Sequence, residues 1–412
     1  MVLFLHNRYR TTGGEERVVG ELLSIVRDRM GERAELLARD SEALGRTRAA
    51  AGLLRGGLAP RDVARAVRMT GARVVHAHNL NPLFGWRALA AARGEGARIV
   101  LHLHQYRLVC ATGVCFTGGQ ECTRCHARNT LPGVIHNCRG SRSEALAYGA
   151  SLALWQRRVA GQADAVIVPS AFARERLREL GAPLDFERVH VLAPPVRMPA
   201  VRTAMGSGGA SERGGLGSEQ DGLDAGCKTE RLDSRDRSLV LREPGVERSY
   251  ALVVSRLAPE KGIDVAIDAC RVAGVGLVVA GDGPELAALR RRAGDGDVRF
   301  VGPLQPGELE RLRAGAALAI VPSRSAETFG LAAAEAMAAG VPVVASRVGA
   351  LAELVGEEGL VEPGDASALA EAIGRLWDDG NVGERGRVRV GELCAPAAVA
   401  EGLARIYASA DS

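Results

Sequence analysis

Short apolar runs alternate with amphipathic helical stretches along this chain, and the rhythm stops near residue 200 and restarts at Tyr250. The first series comprises Val2 to Leu5, Arg33 to Leu37, Arg73 to Ala77, Arg98 to Leu103 and Ala165 to Val168. The second opens with YALVVSRLAPEKGID and continues through GLVVAGDGPE, VRFVGPLQ and ALAIVPSRS. Strand–helix alternation of this kind demands parallel sheets covered by helices on both faces. A chain of 412 residues exceeds what one core supports. The fold class is therefore α/β, with two doubly wound, Rossmann-like domains. Residues 1–199 form the first and 249–395 the second, while the apolar spacing of residues 396–412 predicts a helix crossing back to the first domain.

Between them, residues 200–248 change texture. Residues 206–226 hold eight glycines, and no aromatic residue occurs between Phe186 and Tyr250. Such a segment buries no core and reads as a flexible linker or insertion, with Cys227 an exposed thiol. Of 53 basic residues only Lys228 and Lys261 are lysine, so Lys261 alone places a compact ammonium in a predicted domain. A net charge of +4 and 4% aromatic content give no footing for nucleic acid. The apolar opening, Met1 to Leu5, is shorter than a signal-peptide core or a membrane span, which leads us to expect a cytoplasmic protein.

The stretch VPSRSAETFGLAAAEAMAAGVPVVAS is the densest in candidate chemistry. A strand ending at Val321 turns through Pro322 and Ser323 into an Ala-rich helix, which Thr328 is placed to cap and Gly340 and Pro342 end. Glu327 and Glu335, eight residues apart, would stand about 12 Å from each other on a helix, too far to act on one atom. They suit two hydroxyl-bearing parts of one long ligand, with the amides of Phe329, Gly330 and Leu331 holding an anion between them. Arg256 and Lys261 follow the first strand of the same domain, so two cations stand beside that helix start and make a diphosphate pocket. The glycines of AGDGPE, around Gly281 and Asp282, would let a planar base approach the backbone.

In the first domain, Gly13-Gly14 follow a strand and open a helix, where backbone can approach a phosphate or sugar. The turn lacks the full G-x-G-x-x-G pattern. His78, His104 and Ser170 fall at the carboxyl ends of predicted strands, where doubly wound sheets bind ligands. Residues 104–140 break the rhythm. Cys110, Cys122, Cys125 and Cys138 are spaced C-x11-C-x2-C-x12-C, which can close a tetrahedral thiolate site on Zn²⁺, with His126 and His136 as spare ligands. A structural zinc, a redox pair and reduced thiols without metal all stand as readings of this loop. Residues 141–160 predict an amphipathic helix that packs on the sheet, with a membrane surface as the second reading.

Taken in order, HNRYRTTGGEE, LHLHQYRLVC, GVIHNCRGS, VPSAFARE, VVSRLAPEKGID, AGDGPE and SRSAETFGLAAAEAMAAGVPVVAS resemble glycosyltransferase family 4, retaining enzymes of GT-B fold, and within it a bacterial branch with a Cys-bearing loop. The resemblance covers nearly everything outside residues 200–248. It implies two Rossmann-like domains facing across a cleft, the first toward the acceptor, and transfer of a sugar from a nucleotide-diphosphate sugar to a hydroxyl in polysaccharide, glycolipid or secondary-metabolite biosynthesis. On matching positions it implies catalytic roles for His104, Arg256, Lys261 and Glu327. Glu327 would contact the donor sugar and Glu335 the ribose. Arg256 and Lys261 would neutralise the diphosphate, helped by Phe329, Gly330, Leu331, Gly13 and Gly14, with Gly281 and Asp282 near the base. No catalytic cofactor is implied, since the cations replace a divalent metal. A lipid-linked acceptor, with peripheral contact at the inner face of the cell membrane, stands among the readings of the acceptor.

Two departures stand out. Ala193-Pro194-Pro195-Val196-Arg197 lacks the family's Asn and Asp, and Gln105 replaces the usual Asn after His104. The long insertion is unusual as well. A sugar-nucleotide epimerase of the same fold and a metal-stapled scaffold without activity are the alternative readings.

Overall fold

The computed structural model describes residues 1–8, 13–40, 45–199 and 250–408. The linker expected at 200–248, with Cys227, lies outside them.

Six parallel strands form the first sheet, in the order β2-β1-β3-β4-β7-β8. These are β1 (Val2–Arg8), β2 (Ala34–Asp40), β3 (Val74–Ala77), β4 (Arg98–His102), β7 (Ala165–Val168) and β8 (Val189–Val191). The intervening β5 (Phe116–Thr117) and β6 (Gln120–Glu121) make a separate antiparallel hairpin inside the Cys loop. The second sheet runs β11-β10-β9-β12-β13-β14. It comprises β9 (Tyr250–Val254), β10 (Gly276–Ala280), β11 (Val298–Gly302), β12 (Ala316–Val321), β13 (Val343–Ser346) and β14 (Leu360–Val361). In both sheets the order reverses beside the first strand, so each has a crevice at the carboxyl ends of its central strands. Continuous apolar runs such as Ala316–Val321, buried throughout, suit strands covered on both faces.

Each lobe has its own core. Leu3, Leu5, Val75, Ile99 and Val166 pack one face of the first sheet against Phe84, Leu89 and Leu177. The other face, with Val2, Phe4, Val74 and Val100, packs on Val18, Leu22 and Val26 of the helix Gly14–Asp28 and on Val399, Leu403 and Tyr407 of the final helix Pro396–Ala408. The last helix of the chain is thus part of the first lobe's core. The chain passes between lobes at two places that touch: the Val196 N–H donates to the Cys394 carbonyl at 2.9 Å.

Strand β8, which the sequence reading does not mark, has only three residues at the sheet edge and carries no alternation long enough to read. One local expectation is corrected. The helix Arg142–Ala160 packs chiefly on helices, including Arg46–Arg55 and Leu131–Ile135, with Val159 reaching the core under the sheet. Trp155 fastens it there, its indole N–H reaching the Leu53 carbonyl at 3.1 Å and its ring lying 5.9 Å from that of Trp86.

Candidate active site

The loops after β9 and β12 meet at one buried residue. Glu260, 7% exposed, receives the Arg324 N–H on its carbonyl at 2.8 Å and the Arg256 guanidinium on its carboxylate. Next to it, Gly262 sits at φ +63°, and a Cβ there would lie 2.0 Å from the Pro322 carbonyl oxygen. That close approach brings Lys261 under the second loop. Its ammonium donates to Glu327 Oε1 at 2.6 Å, and the Ser323 hydroxyl donates to the same oxygen at 2.6 Å. Burial alone would raise the Glu327 carboxyl. The Lys261 charge and the two hydrogen bonds outweigh it and hold the group below its ordinary value, so Glu327 is ionised at neutral pH.

Thr328 does not cap the helix that follows. Its hydroxyl donates to the His104 carbonyl at 2.9 Å and its own carbonyl accepts from the Ser170 hydroxyl at 2.8 Å, so the expected cap is spent on bridging the lobes. The helix begins later, at Leu331–Ala338, with Gly330 at φ +99° in the cap position. The N–H groups of Phe329, Gly330 and Leu331 make no hydrogen bond among the described residues. Three donors at the positive end of a helix are suited to an anion.

The first lobe closes over this point. Gly14 approaches Leu331 so nearly that a Cβ on it would lie 2.9 Å from Leu331 Cδ1. The Gly13 N–H is taken by the Glu16 carboxylate at 2.8 Å, inside its own helix start. His104 stacks on His102 at 4.3 Å between centroids and bonds His78 at 2.8 Å through Nε2. Burial and the nearby His6 lower its pKa, while Glu15 and Glu16 pull the other way. The imidazole is therefore neutral at neutral pH.

Glu335 is paired at both ends of its carboxylate. Both carboxylate oxygens are occupied, Oε2 by Arg313 and Oε1 by Arg17 of the first lobe. Arg313 is 7% exposed, with its pKa lowered by burial. Neither arginine was marked by the sequence, because a pairing between segments far apart in the chain leaves no periodic trace. The glycines around Asp282 also allow a close approach of two loops. Gly281 is at φ +131°, and a Cβ there would lie 1.9 Å from the Ser255 carbonyl oxygen. Leu257 N–H donates to the Asp282 carbonyl at 2.9 Å, and the Asp282 carboxylate accepts the Gly283 N–H at 2.7 Å. These residues lock the β9 and β10 loops together. Arg256 is half exposed and bonds Glu260, so its guanidinium is not drawn to Glu327.

Cys110, Cys122, Cys125 and Cys138 line one pocket, with Cys115 and His136. Each finds a local setting: Cys110 Sγ lies 3.2 Å from Thr112 Oγ1, and the Cys138 thiol donates to Thr117 Oγ1 at 3.8 Å. A hydrogen bond from Cys115 draws the Cys110 thiol down to about 5 against its burial, and burial pushes Cys125 up to about 11. Among the described residues these thiols are not gathered at the spacing of metal ligands. The zinc expected from the C-x11-C-x2-C-x12-C spacing is thus not supported. Residues whose ligand atoms do converge are His76, His78 and His102.

Two parallel-sheet lobes with helices on their faces, meeting at their carboxyl edges, have the architecture of the GT-B fold. Residues 9–195 match the family model described as glycosyl transferase 4-like domain, and residues 248–379 the one described as glycosyl transferases group 1. The chain belongs to the family 4 glycosyltransferases. Among its relatives are D-inositol 3-phosphate glycosyltransferase of Acidothermus cellulolyticus, 38% identical over 33% of this chain and 35% of the relative, and MMP alpha-(1->4)-mannosyltransferase of Mycolicibacterium hassiacum, 42% identical over 26% of this chain and 28% of the relative. The chain thus spans about a third of the length of these relatives. Similar folds include Anabaena Alr3699/HepE, solved in complex with UDP and glucose, at TM-score 0.60, 19% identity and 99% coverage of both chains. Sucrose-phosphate synthase of Thermosynechococcus elongatus follows at TM-score 0.64 and 19% identity, covering 99% of this chain and 98% of the other.

Proposed function

We propose that the protein moves a sugar from a nucleotide-diphosphate sugar to a hydroxyl acceptor with retention of configuration. The observation that carries this reading is the Lys261–Glu327–Ser323 cluster set beside three unspent N–H groups at a helix start. Opposite them stand Gly14 and His104 of the other lobe. The relatives named as glycosyltransferases, and the HepE complex with UDP and glucose, support the same donor class.

In this reading the diphosphate lies against the Phe329, Gly330 and Leu331 amides with Lys261 and Arg256 as its cations, and Glu327 orients the sugar. Gly13-Gly14 border the diphosphate, Gly281 and Asp282 border the base, and Glu335 reaches the ribose once Arg17 withdraws from it. The bond between the sugar's anomeric carbon and the phosphate oxygen breaks, and a bond to the acceptor oxygen forms on the same face. The acceptor's proton passes to the departing phosphate. Fixed positive charge beside that phosphate is worth most when the bond is breaking, so the cations act on turnover and need no divalent metal for it.

The first lobe, residues 1–199, takes the acceptor and residues 249–395 the donor. Exposed Leu54, Leu131, Ile135, Leu146 and Leu154 lie on the helix Arg142–Ala160 and on the two helices packed against it, Arg46–Arg55 and Leu131–Ile135. They support a lipid-linked acceptor met at a membrane face. No helix among the described residues is long and apolar enough to cross a membrane.

The test is nucleotide release from a panel of sugar nucleotides, with and without hydroxyl acceptors. Acceptor-dependent release from one donor class is expected. Release from none, with the protein folded, removes the proposal, and conversion of a donor to its epimer replaces it.

A further inference from the structure

The face of the first sheet beneath the final helix carries an unusual set of side chains. Alternation along β3 puts Val74, His76 and His78 on one side, and along β4 it puts Val100, His102 and His104 on the same side. The rings of His76 and His102 stack at 5.3 Å, those of His76 and His78 at 4.5 Å, and those of His78 and His102 at 5.1 Å. His76, His78 and His102 are at most 3% exposed.

Their hydrogen bonding is incomplete. His76 Nδ1 meets the Tyr407 hydroxyl at 2.7 Å, and His78 Nδ1 meets His104 Nε2 at 2.8 Å. The Nε2 atoms of His78 and His102 are buried without any partner. A buried imidazole nitrogen left unsatisfied is costly, and leucine would fill the same space without that cost. One ring nitrogen from each of His76, His78 and His102 lies within 4.8 Å of those of the other two. His76 Nε2 and His102 Nδ1 are already 3.2 Å apart. Two tetrahedral nitrogen ligands at about 2.0–2.1 Å from zinc would stand roughly 3.4 Å apart.

We propose that His76, His78 and His102 form a buried structural site for a divalent d-block cation, zinc being the ion best suited to three imidazoles. Tyr407 and His104 hold ring nitrogens from behind, as the outer partners of metal-bound histidines do. Glu15 and Glu16, 3.9 and 3.7 Å from the neighbouring His6 ring, set negative charge beside the cluster and offset the cation. The ion is structural. It fastens the final helix to the sheet through Tyr407 and fixes which nitrogen His104 offers to His78.

The experiment is metal analysis of the full chain carrying no polyhistidine tag, followed by chelation and reloading with Co²⁺. About one ion per chain is expected, with visible bands of cobalt bound by nitrogen ligands and no thiolate charge-transfer band. His78→Gln and His102→Gln should each weaken retention roughly 10–100-fold. Wild-type protein that retains no ion overturns the proposal. So does a cobalt spectrum with thiolate bands that vanish in Cys122→Ser, since the ion would then sit in the Cys loop. The wild-type spectrum decides the matter even where the histidine variants fail to fold.

Discussion

The two lobes share an architecture and divide the chemistry between them. All eight histidines lie between His6 and His190 in the first, whereas the second contains none and holds Lys261, its single lysine. Buried neutral rings stack in one lobe, and paired fixed charges line the facing edge of the other. A parallel sheet supplies the same crevice in both cases, so the fold decides where a ligand sits and the residues after each strand decide what that ligand is.

If charge stabilisation belongs to the second lobe, Lys261→Ala should cost most, about 10²–10³-fold in turnover with donor KM little changed. Nucleotide-release kinetics measure it, and Lys261→Arg should rescue only part, because a planar guanidinium does not reproduce the contact with Glu327. Unchanged turnover would move the chemistry to the first lobe. Gly281→Ala comes next, at roughly 2–3 kcal/mol of stability in urea unfolding, since its Cβ would overlap the Ser255 carbonyl. Thr328→Val should lose about 1 kcal/mol, the worth of one bond to the His104 carbonyl across the lobes. Arg17→Ala should lose less than about 1 kcal/mol, because Arg17 is 42% exposed, and Arg313→Ala, on the same carboxylate but buried, should lose more. Thermal unfolding of the pair tells the two apart.

The smallest effect concerns acid. Glu327 is held below its ordinary value of 4.5, so the unfolded chain binds the proton more readily than the folded one. The stabilisation from its pairing is complete above that value and fades as pH falls through the lower folded value. The stability difference between the protein and Glu327→Gln should shrink over that window, and a difference that widened on acidification would contradict the pairing.

Much of this was legible in advance. Strand β7 at Ala165–Val168 and the helix Pro396–Ala408 fall where apolar spacing puts them, because their side chains report burial directly. Contacts between distant segments were not legible. Thr328 carries a good capping side chain, yet a carbonyl 224 residues away takes its hydroxyl. The glycines around Asp282 mark a close approach of backbone, yet nothing in their spacing names the Ser255 carbonyl as what Gly281 lies against. His76 and His102 were read only as parts of the strands Arg73 to Ala77 and Arg98 to Leu103. The signal that could have found them is the pair of H-x-H patterns in VVHAHN and LHLHQ, since neighbouring parallel strands align such patterns on one face.

The bond between Val196 and Cys394 has a mechanical consequence. Two crossings lying side by side act like the knuckles of one door hinge: they permit swinging about a shared line and resist twisting or sliding. Opening would therefore part Gly14 from Leu331 and Thr328 from His104 along a single arc. On the return stroke the same atoms would meet again without any search over orientations.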